Sequence, residues 1–151
     1  MSDPTPTVAE LILQNVATTL TAALTGVKVE RTRLRPYELS ELPAVAITPV
    51  EENVEYGPGP RMRGPGAIRK FFFEVEISVP GEPPDAELDL HRGNVVVALM
   101  KDRSLGGNAI GIGEAGSKWE AEAASNAVYG VLIIRFEVEY HTRADDARAK
   151  L

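Results

Sequence analysis

Three glycines in Gly111-Ile-Gly113-Glu-Ala-Gly116 match the spacing at which a backbone can approach a dinucleotide pyrophosphate. That chemistry needs the first glycine at the end of a buried strand and the last at the start of a helix, whose amide dipoles meet the phosphates. Here the run follows a helix and a Leu105-Gly-Gly turn, with only Asn108-Ala-Ile110 between, and Ser117-Lys-Trp-Glu-Ala-Glu-Ala after it alternates at least as well as it turns. No βαβ series surrounds it. The pattern therefore reads as flexible loop glycine. A small nucleotide-binding enzyme using Gly111, Gly113 and Gly116 stands as the alternative from another functional class.

Glu74 and Glu76 share the outward face of one alternating stretch, and Glu137 and Glu139 that of another. Paired carboxylates do acid–base work only in unequal environments, and four on a solvated sheet face titrate as surface groups. Their sharper reading is an acidic face in an assembled ring. The two histidines offer little more. Glu87 and His91 stand at i, i+4 on one helix, a helix-surface or partly buried hydrogen-bonded pair rather than a dyad, and His141 falls on an outward strand position with no ligand spacing around it. No serine sits in a nucleophile motif. Catalytic, cofactor-binding and metal residues are all expected to be none, and no cofactor is expected.

The elements that position these groups follow from periodicity. Thr7-Val-Ala-Glu10 has the form of a capping box. Val8, Ile12, Val16, Leu20 and Leu24 then recur every four residues, widened by Leu11 and Leu13, which predicts an amphipathic helix. Gly26 stands where a left-handed cap is expected. Val27 to Leu34, with Arg31, Arg33 and Arg35, predicts a short strand, and Leu42 to Pro49 a second, bounded by prolines. Gly57 to Gly66 holds four glycines and three prolines, so residues 52–69 read as a long exposed loop. In Lys70 to Val79, Phe71, Phe73, Val75, Ile77 and Val79 face one way, and Phe72 is left on the other. Asp85 reads as the N-cap of a helix to about Lys101, with Leu88, His91, Val95 and Leu99 on one face. Between 108 and 130 the pattern is weak, and Trp119 to Ala123 fits a strand or a piece of helix. A final strand over 131–142 turns Leu132, Ile134, Phe136, Val138 and Tyr140 inward.

This order implies an α+β fold, with a mainly antiparallel sheet of about four to five strands packed with two principal helices. Residues 1–6 are expected as a flexible leader, 7–142 as a single domain and 143–151 as a flexible C-terminal tail. Phe72 and the loop residues Tyr56, Arg61, Met62 and Arg63 are the candidate assembly contacts, with Glu74, Glu76, Glu137 and Glu139 as the candidate acidic face. Arg61 and Arg63 could equally meet a neighbour's acids, DNA phosphates or only solvent.

Bulk properties narrow the class. A chain of 151 residues with 44% apolar and 25% charged residues is ordinary globular material. It contains no cysteine, which excludes disulfides, thiolate metal sites and a cysteine nucleophile. No apolar run approaches the length of a membrane span, and Met1-Ser-Asp-Pro-Thr-Pro lacks a basic signal region, so no membrane partner is expected. The net charge of −6 argues against free-standing nucleic-acid binding but suits a conduit that DNA passes without sticking.

A helix ending in Asp102-Arg-Ser-Leu105-Gly-Gly, followed by Val131-Leu-Ile-Ile-Arg-Phe-Glu-Val-Glu-Tyr140-His-Thr142, resembles the tail terminator (minor tail) proteins of long-tailed bacteriophages. The resemblance extends in layout over residues 7 to 142. Beyond it, Asp145-Asp146 stands where that family commonly has Asp-Pro. The resemblance implies no enzyme but a virion protein, assembled in host cytoplasm. It would form a ring, a hexamer by analogy, that caps the tail tube, ends its polymerisation and offers the head-joining surface. Implied partners are further copies of itself, the tail tube protein, the head–tail connector proteins and DNA passing through the lumen. A head–tail connector or tail-completion protein is the alternative within the class, and an unassembled binding module remains open.

Overall fold

The structure, a computed structural model, describes residues 3–57, 66–123 and 128–151. Helix α1 (Val8–Ala23) opens it, followed by strand β1 (Lys28–Arg31), a 3₁₀ turn at Leu39–Glu41, β2 (Ala44–Tyr56) and β3 (Gly66–Val79). Helix α2 (Asp85–Met100), β4 (Gly111–Ala123), β5 (Val128–Arg143) and β6 (Asp146–Lys150) complete it. The strands form one six-stranded sheet in the order β1-β2-β3-β5-β4, with β6 also paired to β5. Among the described residues β1 and β2 run parallel and every other pairing is antiparallel. The α+β class is as expected, with one strand more than the upper expectation.

Both helices pack on one face of the sheet. Val8, Ile12, Val16 and Leu20 of α1 and Leu88, Val95 and Leu99 of α2 close over Phe71, Phe73, Val75 and Ile77 of β3 and Leu132, Ile134, Phe136 and Val138 of β5. Phe73 and Phe136 are direct partners in the β3–β5 ladder, and their rings stack at 5.3 Å. Each such side chain taken from water contributes about 1.5–3 kcal/mol before entropy is counted. Thr7 caps α1 by accepting from the Glu10 amide at 3.3 Å, worth about 1 kcal/mol. The Glu10 carboxylate is drawn away from the capping box into a two-point contact with Arg31 of β1, at 2.9 and 3.1 Å. Among the described residues no helix is long and apolar enough to cross a membrane.

Several expectations change. Strand β2 does not stop at Pro49 but continues to Tyr56, so much of the anticipated loop 52–69 is hairpin, with Glu52 to Tyr56 opposite Phe71 to Ala67. Pro49 is tolerated because β1 flanks only Ala44 to Ile47 and the ladder bulges between Pro49 and Glu51. Pro84, not Asp85, precedes the first turn of α2, which leaves Asp85 and Glu87 inside that turn, where the helix dipole favours negative charge. The weakly patterned stretch from 111 is β4, an antiparallel edge strand. The expected mobile tail forms a turn and β6, held by Leu151 N–H donating to the His141 carbonyl and by Arg148, which contacts Asp146 and Asp3.

Candidate assembly surface

The residues that carry the family resemblance are fixed in place by hydrogen bonds. After α2, the Asp102 carboxylate accepts from the Ser104 amide (3.0 Å), the Ser104 hydroxyl (2.5 Å) and the Gly106 amide (2.9 Å). These bonds, the Ser104 hydroxyl first, hold Asp102 below the usual carboxylate range. The Ser104 oxygen in turn accepts from Gly107. Leu105, Gly106 and Gly107 all adopt positive φ (49°, 76° and 84°). For leucine that conformation costs about 1–2 kcal/mol, and full burial of the Leu105 side chain in the main core offsets it.

At the same end of the sheet, where Ile110 N–H donates to the Glu139 carbonyl, Tyr140 donates to Glu52, Arg69 reaches Glu52 at 3.0 Å, and the same guanidinium donates to Thr142 at 3.0 Å. Tyr140 and Thr142 are buried. Burial first, and then the bond to Glu52, push the Tyr140 hydroxyl well above its ordinary value. The Tyr140-x-Thr142 pair therefore locks β5 to β2 and β3 through one carboxylate and one arginine.

The face of the sheet without helices divides into two parts. Over one part lies a strap, residues 32–43. Arg33 donates to both Glu76 and Glu122, the Tyr37 amide donates to the Tyr129 hydroxyl (2.9 Å), and Tyr129 donates to Glu122 (2.9 Å). Burial disfavours the Arg33 charge, but the two carboxylates more than compensate and raise it above its ordinary value. Under the strap, Tyr37, Ala44, Tyr129 and Val131 form a second small core.

The other part is open. All four glutamates of the candidate acidic face lie on this helix-free side, at alternate positions from the buried β3 and β5 residues. Three of the four stand beside basic side chains. Glu76 belongs to Arg33, Glu74 stands opposite Arg135 in the ladder, and Glu139 lies 3.4 Å from His141. Phe72 is half-buried beneath the Arg135 guanidinium, 4.6 Å from the ring centre, and Arg135 also meets Glu51. Tyr56 is 69% exposed at the end of β2. Arg61, Met62 and Arg63 lie outside the described residues.

The nucleotide alternative fails on geometry. Gly111, Gly113 and Gly116 all lie in edge strand β4, opposite Glu139, Glu137 and Arg135, with a bulge between Glu114 and Gly116. They are neither loop residues nor the start of a helix, and carboxylates flank the place a pyrophosphate would need. A depression of about 260 Å³ beside the bulge is lined by Glu74, Gly116, Ser117, Lys118, Ile133 and Arg135 and is open to solvent. His91 stands beside Glu87 as the spacing implies, but at 3.7 Å, beyond hydrogen-bond reach. Among the described residues neither histidine bonds a hydroxyl, and no three metal-ligating side chains cluster.

The strap network went unread in the sequence. Arg33 and Tyr37 lie 89 and 92 residues before their partners Glu122 and Tyr129, so no local pattern joins them.

No family model and no curated protein sequence matches the chain. Among solved structures, the chain is similar to one from the virion of a native gene transfer agent particle, with 14% identity and a TM-score of 0.32. That match covers 88% of this chain and 92% of the other.

Proposed function

We propose that this protein is a structural component of a phage-like particle, forming a ring that caps the tail tube, halts its polymerisation and presents the head-joining surface. The observation that supports this reading is the fate of the residues that carry the resemblance. Asp102, Leu105, Tyr140 and Thr142 are all spent on holding the scaffold rigid, through the turn after α2 and the Glu52–Arg69 lock. A ring subunit needs such rigidity, because a small error in one interface accumulates around the circle and prevents closure. The sheet also ends in two different strands, β1 and β4, on opposite sides, as a head-to-tail contact requires.

In this reading the β2–β3 connection, with Tyr56 and Arg61 to Arg63, meets the tube or a neighbouring subunit, and Phe72 lies at a subunit contact. Further copies, the tube protein and the connector proteins are the partners, and DNA passes through the lumen. Negative-stain microscopy of the purified protein across a wide concentration range tests ring formation. Rings with a central hole and a single rotational symmetry are expected. Open filaments or unordered aggregates at every concentration would contradict head-to-tail closure.

A further inference from the structure

The two helices differ on the sides they turn to water. Helix α1 shows Gln14, Thr18 and Thr21, as a solvated helix should. Helix α2 does not. Its outermost ridge is Ala86, Leu90, Gly93 and Val97, all exposed, with Leu90 and Val97 each 60% accessible. The spacing of four, three and four residues is that of a helix-pairing seam, and it lies opposite the buried Leu88, Val95 and Leu99. A side chain placed at Gly93 would meet nothing within 4 Å. The fold itself therefore does not require glycine there, and its effect is to leave the middle of the ridge low enough for close approach.

Charge selects the occupant. Asp85 and Asp89 flank the N-terminal end of the ridge, and Lys101 and Arg103 follow its C-terminal end. All four are exposed, and none makes an ion pair among the described residues. The Asp102 carboxylate between the two cations is engaged by its own turn. The ridge is thus apolar in the middle, acidic at one end and basic at the other. We infer that α2 docks antiparallel against α2 of a second copy, around a two-fold axis close to Gly93. Leu90 then lies against Val97 of the other copy, and each acidic end meets a basic end. A parallel arrangement would instead place like charges together. This contact is isologous, whereas ring closure uses a head-to-tail contact, so it stands independently of the proposed function and would join two subunits or two rings back to back.

The test is sedimentation equilibrium of the full chain, with circular dichroism to show that each variant remains folded. The wild type is expected to dimerise reversibly, more weakly at high salt. Leu90→Glu and Val97→Glu should each raise the dimer dissociation constant by about tenfold or more, since each removes two apolar contacts by symmetry. The double variants D85K/D89K and K101E/R103E should each lose self-association, yet form a heterodimer when mixed. Because the chain has no cysteine, Gly93→Cys should yield a single disulfide-linked dimer on oxidation. A wild type that stays monomeric to millimolar concentration would overturn the inference. So would association that ignores Leu90→Glu and both charge reversals, or a Gly93→Cys chain that does not cross-link.

Discussion

Leu105 shows how one residue can be held in a costly conformation by what its side chain gains. Its backbone adopts φ +49° while its side chain is fully buried beside α1 and α2. Leu105→Ala keeps the strain and loses the burial, so chemical denaturation should show a loss of about 2–5 kcal/mol. Gly130 is constrained from the opposite direction. A Cβ there would lie 2.4 Å from Pro84 Cγ, at the start of α2. Gly130→Ala should therefore cost about 1–3 kcal/mol by overpacking, with the melting temperature as the readout. Tyr56 is different, since it pairs with Ala67 only through the strand backbone and its side chain is exposed. Tyr56→Ala should leave the melting temperature unchanged and weaken only ring assembly. If it destabilises the monomer instead, its proposed assembly role fails.

At the scale of elements, periodicity revealed whatever has one wet face and one dry face. Helix α1, helix α2, β3 and β5 could be read because their apolar residues recur at 3.6 or at 2. Strand β4 escaped because it is an edge, glycine-rich on one side and solvated over most of the other, and so it lacks that contrast. The C-terminal β6 escaped because five polar-leaning residues carry no pattern, and only pairing with β5 gives them structure. The candidate assembly face was legible in its alternation, which placed Phe72 and four glutamates together. Which carboxylates its cations meet was not, since Arg33 and Arg135 are remote in the chain from Glu76 and Glu51. The strap depends on that remote contact. Arg33→Ala leaves Glu76 and Glu122 facing each other without a cation, and hydrogen exchange should speed up across residues 34–42 while the α1 amides stay protected. Uniform exchange across both segments would mean that Arg33 supports the whole fold rather than the strap.

For the whole molecule, acid stability follows from carboxylates that hold their charge more strongly when folded. Glu41 is pushed down to about 2 by the Arg35 hydrogen bond and then the Glu38 amide. Asp102 is lowered by the Ser104 hydroxyl and then the Gly106 and Ser104 amides, and Glu10 chiefly by Arg31. With depressed folded values, their contribution is complete above the unfolded carboxylate range of about 4 and is lost as pH falls through the folded values. The melting temperature should be level at mildly acid pH and decline between about pH 4 and pH 2. Glu41→Gln should start lower and decline less, and calorimetry across that range reads both. The tyrosines act in the alkaline direction. Burial raises Tyr37, Tyr129 and Tyr140, so their stabilising contribution is present below about pH 10 and fades as pH rises beyond it.

The central claim concerns an assembly, and it is tested most directly by growing tail tubes from the cognate tube protein with and without this protein and measuring their lengths by electron microscopy. A terminator should shorten the tubes in proportion to its concentration and leave a ring visible at one end only. Tubes that grow to the same lengths and end bare, in the presence of excess folded protein, would contradict the account.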